Sequence, residues 1–313
     1  MSSNLIKILN PSIRLFQIHG IASYVSDSNS FTPSKPLKTF SFLLLTFQFF
    51  IGCYQYIWKY INFSRYGLRE LVWTFDMIFL VLNCNISAFI LLKNNDVISK
   101  FLNDLIILNV EIKNVFVKFF LIAIIIVYFF LCIIVEWLFL DKLAGIYGYF
   151  YIIGHICYFQ NISMSIYMSY QFGLYVFLIG LFYRSANEEI FDLKSIEFAR
   201  SHYNSEILMK LKILRMNENL AKDLVERINN VYGILSSTVV ICFFFQIVYG
   251  VTFYIIKDDQ YAASSAMWMA FFGFQVISVL AGCVYTSNQV MRKRLAKLVG
   301  GRNSHFTQDE VLV

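Results

Sequence analysis

The stretch that most constrains this chain runs from Glu206 to Ile256, with no proline inside it. Its first part places Leu208, Leu211, Leu214, Ala221, Leu224, Ile228 and Val231 mostly three or four residues apart, or at their sum. That spacing puts them on one face of a helix. Between them stand Lys210, Lys212, Arg215, Glu218, Lys222, Asp223, Glu226 and Arg227, a solvated face. From Ile228 to Ile256 no Lys, Arg, Asp or Glu occurs, enough for one membrane span. The spacing predicts one helix that crosses the lipid and projects into water with an apolar stripe. That stripe must pack on the chain's own helices or on a neighbouring subunit. The residues marked for assembly are Leu211, Leu214, Ala221, Leu224 and Ile228.

Composition supports lipid as the solvent. The chain is 58% hydrophobic and only 15% charged, with mean hydropathy +0.61, too apolar for the surface of a soluble domain. Three prolines and 14 glycines in 313 residues fit long helices, and the alternation of a membrane barrel is missing. The expected fold is an all-α polytopic bundle. Its divisions are a segment at 1–38, four spans within 39–183, a charged helical linker at 184–227, two spans within 228–290 and a tail at 291–313. The spans centre on about Thr39–Trp58, Leu71–Leu92, Phe119–Leu140, Tyr147–Tyr183, Ile228–Ile256 and Tyr261–Val290. The fourth is long enough to tilt or to project inward. In the first segment, Leu5, Ile8, Ile13, Phe16 and Ile21 line one side of a short interfacial helix. No cleavable signal peptide is expected. Basic residues set the orientation. With a cytoplasmic N-terminus, the outer loops keep only Lys59, Arg65, Arg69, Lys142 and Lys257 of the 26 Lys and Arg.

At the junction of water and lipid stands Arg227-Ile228-Asn229-Asn230-Val231-Tyr232-Gly233, followed by an aromatic-rich span holding Tyr249 and Tyr254. This stretch resembles the corresponding helix of insect gustatory receptors, in the seven-helix chemoreceptor superfamily. Pro11, Leu15 and Gly20 match that family's opening pattern, and the resemblance extends to the layout of the whole chain. It implies an inverted orientation, with the N-terminus inside. It also implies a tetrameric ligand-gated cation channel in the plasma membrane of sensory neurons, with a tastant pocket in the outer half. The chain departs from the family after its sixth span, where Leu298–Val313 is too short and polar to cross. The family's pore-lining seventh helix has no counterpart there, so the chain reads as a receptor that stops one helix early.

Candidate pocket residues follow from polarity inside the spans. Trp58, Trp73, Trp137 and Trp268 fall at outer ends, as an interfacial belt or as pocket walls. Asp76 and Glu136 are acids within spans, where charge faces a cavity or partner; Glu136 also reaches the interface. His155, Tyr158 and Gln160 serve either as interhelical hydrogen-bonding groups or as a pocket wall. The ligand-binding set expected is Trp73, Asp76, Glu136, Trp137, His155, Tyr158, Gln160, Tyr254 and Trp268. The sequons at Asn85 and Asn161 lie inside spans and are unusable; that at Asn62 lies close to the membrane.

No phosphate-cradling loop, metal-ligand cluster or nucleophile–base spacing occurs, so neither enzyme activity nor a cofactor is expected. The net charge of +6 belongs to basic inner flanks rather than to nucleic-acid binding. The partners expected are a tastant, lipid and other receptor subunits in a homo- or hetero-tetramer. A non-conducting modulatory or scaffold subunit is the alternative. A transporter comes third, since no repeats or paired broken helices appear.

Overall fold

The computed structural model describes residues 2–27, 29–63, 81–82, 84–108, 149–199, 205–255, 269, 273, 275–277 and 279–290. Helices hold 89% of them. The elements are α1 (Ser2–Ile18), strands β1 (Tyr24–Ser26) and β2 (Phe31–Pro33), α2 (Lys35–Phe63), α3 (Cys84–Lys93), α4 (Asn95–Ile107), α5 (Tyr149–Ala199), α6 (Ser205–Ile255) and α7 (279–290). Two helical segments among the described residues are long and apolar enough to cross a membrane, Lys35–Tyr54 and Ser163–Glu189.

The N-terminal segment is docked on the chain's own helices. Leu5, Ile6, Leu9, Ile13 and Phe16 of α1 are buried, so the face expected to lie on an interface packs on protein instead. Pro11 sits inside α1 on its exposed side, where the missing amide leaves a carbonyl that water can satisfy. Gly20 ends the helix at φ +73°. The Ile21 amide donates to the Phe16 carbonyl at 2.8 Å and the Gly20 amide to the Gln17 carbonyl at 3.0 Å. Those two bonds are a Schellman cap, with Ile21 and Phe16 as its buried apolar pair. The chain then forms an antiparallel hairpin, Tyr24 opposite Pro33 and Ser26 opposite Phe31.

Two asparagines of α4 hold that hairpin. Asn95 accepts from the Ser23 amide at 3.2 Å and donates to the Ser23 carbonyl at 2.9 Å. Asn103 does the same with Phe31, at 2.7 Å and 2.9 Å. A side-chain amide carries the same donor and acceptor as a peptide, so each asparagine acts as one residue of a third strand. The apolar face of α4, with Ile98, Phe101, Leu102 and Leu105 fully buried, fixes both in place.

The long helices pack through small and polar residues. α5 and α7 run parallel. A Cβ at Gly282 would lie 2.7 Å from the Gly173 carbonyl oxygen, and one at Gly180 would lie 2.7 Å from Thr286 Oγ1. Thr286 donates to the Val176 carbonyl at 2.7 Å, and Asn187 to the Gln289 carbonyl at 3.0 Å. α2 and α3 run antiparallel, with Phe42 against Phe89 and Gly52 against Val81 just before α3. On α2 the buried positions are Ser41, Leu45, Gln48 and Gly52, whereas Phe40, Phe42, Leu43, Phe47 and Phe50 are exposed. The same inversion appears near the C-terminus, where Gln275, Gly282, Thr286 and Gln289 are buried while Leu280 and Val284 are exposed.

The segment expected as a charged helical linker, 184–227, is helical over its described residues. Its first part continues α5 to Ala199, and its last part belongs to α6, which starts at Ser205. The stripe expected on that part is buried within the chain, with Ala221 and Leu224 at 0%, Ile228 at 1% and Leu214 at 8% exposure; the side chain of Leu211 is outside the described residues. Of the two coverings open to the stripe, the chain's own helices provide it. Arg227 fixes the junction, donating to Asp104 of α4 at 2.9 Å and pairing with Asp223 one turn back.

Replacing Gly20 by alanine forces an L residue into the left-handed region and presses its Cβ to 3.2 Å from Leu44 Cδ2. We expect Gly20→Ala to lower stability by about 1–2 kcal/mol, read as an earlier thermal unfolding midpoint of the purified protein. An unchanged midpoint would show that the turn relaxes without undocking α1.

Candidate functional site

Of the residues expected to form a pocket, Trp73, Asp76, Glu136, Trp137 and Trp268 lie outside the described residues. His155 and Tyr158 lie on α5 and Tyr254 on α6, but their side chains are outside the described part. Gln160 is half-buried, and its Nε2 is 2.9 Å from His19 Nδ1. This amide therefore meets the N-terminal segment, which sequence reasoning had not linked to it.

Around this contact, α5 gathers two polar clusters. In the first, His19 stacks on Tyr167 with ring centroids 4.4 Å apart. Burial holds its imidazole at about 4, below the usual 6.5, so it is neutral at physiological pH. One position along α5, Asn161 accepts from Asn85 at 2.9 Å, and Asn85 also donates to the Val81 carbonyl at 2.8 Å. Both asparagines are at most 1% exposed, which excludes glycosylation at either sequon. The antiparallel register of α2 sets Gln48 near the level of Asn85. Gln48 is 2% exposed, and among the described residues neither its amide nitrogen nor its amide oxygen has a hydrogen-bond partner.

The second cluster joins four elements. The Tyr24 hydroxyl of β1 lies 2.9 Å from the Tyr175 hydroxyl of α5. Gln171 Nε2 donates to both, at 3.1 Å and 3.0 Å. Phe101 of α4 packs on Tyr175 at 5.2 Å, and Tyr232 of α6 meets the same ring edge-on at 6.2 Å. The Tyr232 hydroxyl and Gln171 Oε1 are buried without a partner among the described residues. Desolvation, then the neighbouring Tyr175 and Tyr232, push the Tyr24 hydroxyl well above 10, so it stays protonated and able to donate.

Among the described residues these clusters offer neutral hydrogen-bonding groups. Among the described residues no group of His, Cys, Asp or Glu could hold a metal ion. Their chemistry is that of polar recognition and of coupling between elements. Sequence reasoning missed Tyr24, Asn95, Asn103 and Gln171, because each acts across more than 70 residues of chain. Tyr232 was legible only as part of the stretch Arg227–Gly233. No family model matches the chain, and no curated protein matches it either.

Two outcomes test the first cluster. Folded His19 takes its proton only near pH 4, while the unfolded chain takes it near 6.5. Between these values the unfolded state binds more protons. The contribution of His19 is therefore complete above pH 6.5 and declines as pH falls to 4. His19→Gln should flatten that part of the stability profile; an identical profile would remove His19 as its source. Gln48→Met, which deletes an unpartnered buried amide at similar volume, should raise stability by roughly 1 kcal/mol. A lower unfolding midpoint would show that this amide is held by a partner.

Proposed function

We propose that this chain is a subunit of a gustatory-type chemoreceptor, a ligand-gated cation channel of the plasma membrane of sensory neurons. The observation that carries the reading is the inverted polarity of its helices. Phe47 and Phe50 of α2 are 61% and 65% exposed, and Phe244 and Ile255 of α6 are 63% and 71% exposed, while Gln48, Gln275 and Thr286 are buried. In water such surfaces promote aggregation. In lipid they are the ordinary outcome, because tails solvate large apolar side chains and helices associate through small and amide residues.

Length supports the same reading. α5 and α6 have 51 residues each, about 76 Å at 1.5 Å per residue, against a hydrocarbon core of about 30 Å. Both helices therefore extend beyond the bilayer. The Ser163–Glu189 window is 89% buried in protein, against 22% for Lys35–Tyr54. In this reading the first belongs largely to a protein-packed inner region and the second to a lipid-facing span. The gustatory-type stretch supports the family reading through its roles, since Arg227 ties α6 to α4 and Tyr232 packs into the tyrosine cluster. A six-span bundle with the N-terminus inside, a tetramer and an outer pocket including Asp76 and His155 complete the proposal.

Expression in cells with tags on Met1 and Val313 tests it. Both tags should be hidden on intact cells, and co-expression with a complete receptor subunit should give cation currents evoked by a tastant panel. In such a complete receptor, Asp76→Asn and His155→Ala should shift the ligand response by at least several-fold with unchanged surface delivery. Surface labelling of Met1 would overturn the orientation. Full surface delivery without any evoked current would overturn the channel reading.

A further inference from the structure

The ring centroids of Phe42 on α2 and Phe89 on α3 stand 6.0 Å apart. Phe42 is 53% exposed and Phe89 half-buried, so the pair sits on the outer rim of the groove between these antiparallel helices. That contact fixes what else is level on the rim. Lys38 lies four residues before Phe42, and Lys93 four residues after Phe89. Each is one turn from the rings, and because the helices run oppositely both turns lead the same way. Lys35 lies seven residues before Phe42, on the same face one turn further out. All three lysines are exposed, and none has an ion-pair partner among the described residues. By contrast, Arg184, Lys222 and Arg227 pair with Glu188, Glu218 and Asp223. The acid nearest to Lys93 in sequence is Asp96, in the first turn of α4; with it included, the level still carries net positive charge.

In the other direction the rim is apolar. Phe49, seven residues past Phe42, is half-buried. Ile86 of α3 and Leu82 just before it are 51% and 39% exposed. No Lys, Arg, Asp or Glu occurs between Lys38 and Lys59, or between Leu82 and Lys93. Lys38 to Phe49 and Lys93 to Leu82 are eleven residues each, about 16 Å of helix. That is close to half of a hydrocarbon core of about 30 Å. A cationic level and an apolar strip one leaflet deep therefore adjoin on a single face.

We propose that this rim is a binding site for a phospholipid with a net negative headgroup. Lys38 and Lys93 hold the headgroup, with Lys35 beside them, and one acyl chain lies along Phe42, Phe89 and Ile86. The proposal rests on the membrane reading above. With the N-terminus inside, the lysine level meets the cytoplasmic leaflet, where anionic lipids collect. Charge complementarity selects the headgroup. Ammonium groups without partners in the chain attract a net anion, whereas a choline headgroup cancels its own phosphate charge. Lysine suits the task, because its long stem lies on apolar surface while its charge reaches the headgroup level. The apolar strip selects a lipid over a soluble anion, since free phosphate gains nothing from Phe42 or Ile86.

The test uses the full chain in nanodiscs of phosphatidylcholine, probed with spin-labelled phosphatidylserine or spin-labelled phosphatidylcholine. The parent should immobilise the serine lipid several-fold over the choline lipid. Lys38→Gln with Lys93→Gln should bring that ratio close to one. Lys38→Arg with Lys93→Arg should keep it, because the charge stays. Lys212→Gln with Lys222→Gln, on the charged part of α6, should keep it too. A parent ratio near one would overturn the proposal and leave the rim to a neighbouring subunit or to lipid of any kind. So would a ratio that survives the double glutamine change on the rim, or one lost equally by the change on α6. Inorganic phosphate that displaces the serine lipid at matched ionic strength would make this a free-anion site and overturn the lipid. A chain that alkaline carbonate strips from membranes would sink the membrane reading and this site with it. A chain that stays inserted but shows no selectivity would sink the site alone.

Discussion

The packing of this chain depends on close approach through small and amide side chains. Its largest apolar groups on α2 and near the C-terminus face outward, so burial of those groups cannot select which helix faces meet there. Glycines decide it instead. Gly173 and Gly282 bring the α5 and α7 backbones together, and Gly180 admits Thr286. At that distance side chains reach backbone carbonyls, as Thr286 and Asn187 do. Such bonds are worth more as determinants of register than as sources of stability, since the net contribution of one is about 1 kcal/mol.

The N-terminal segment extends this logic to the connections between elements. A Schellman turn at Gly20 reverses the chain so that Ile21 closes over Phe16. The hairpin that follows is too short to stand alone. It persists because Asn95 and Asn103 extend it with side-chain amides and because Tyr24 reaches Tyr175. α4 in turn is held to α6 by Asp104 and Arg227. Hairpin, α4, α5 and α6 thus meet around one tyrosine–glutamine cluster, and a shift of one element is felt by the other three. Two of its buried atoms, on Tyr232 and Gln171, have no partner among the described residues and give it groups that a rearranged packing could satisfy.

α6 carries two apolar stripes with different fates. The stripe through Leu214, Leu224 and Ile228 is buried against the chain's own helices, and the one through Met209, Ile213 and Met216 is left outside. Both obey helical spacing, so periodicity alone ranks them equally. The first drew attention because the charged residues around it outline it more sharply.

The sequence by itself determined that the chain is helical, which stretches are apolar, and that one helix passes from a charged to a charge-free region at Arg227. Those properties are local: they follow from composition, spacing and the absence of proline along one segment. It also marked Gly20 and Tyr232 as positions of note, without their reasons. Only the tertiary structure decided that Gly20 is a left-handed cap, that Asn95 and Asn103 act as strand residues, and that Gln160 meets His19. It also decided which stripe of α6 is covered. Each of these depends on groups brought together across tens of residues or more, and a linear pattern holds no record of which face meets which neighbour.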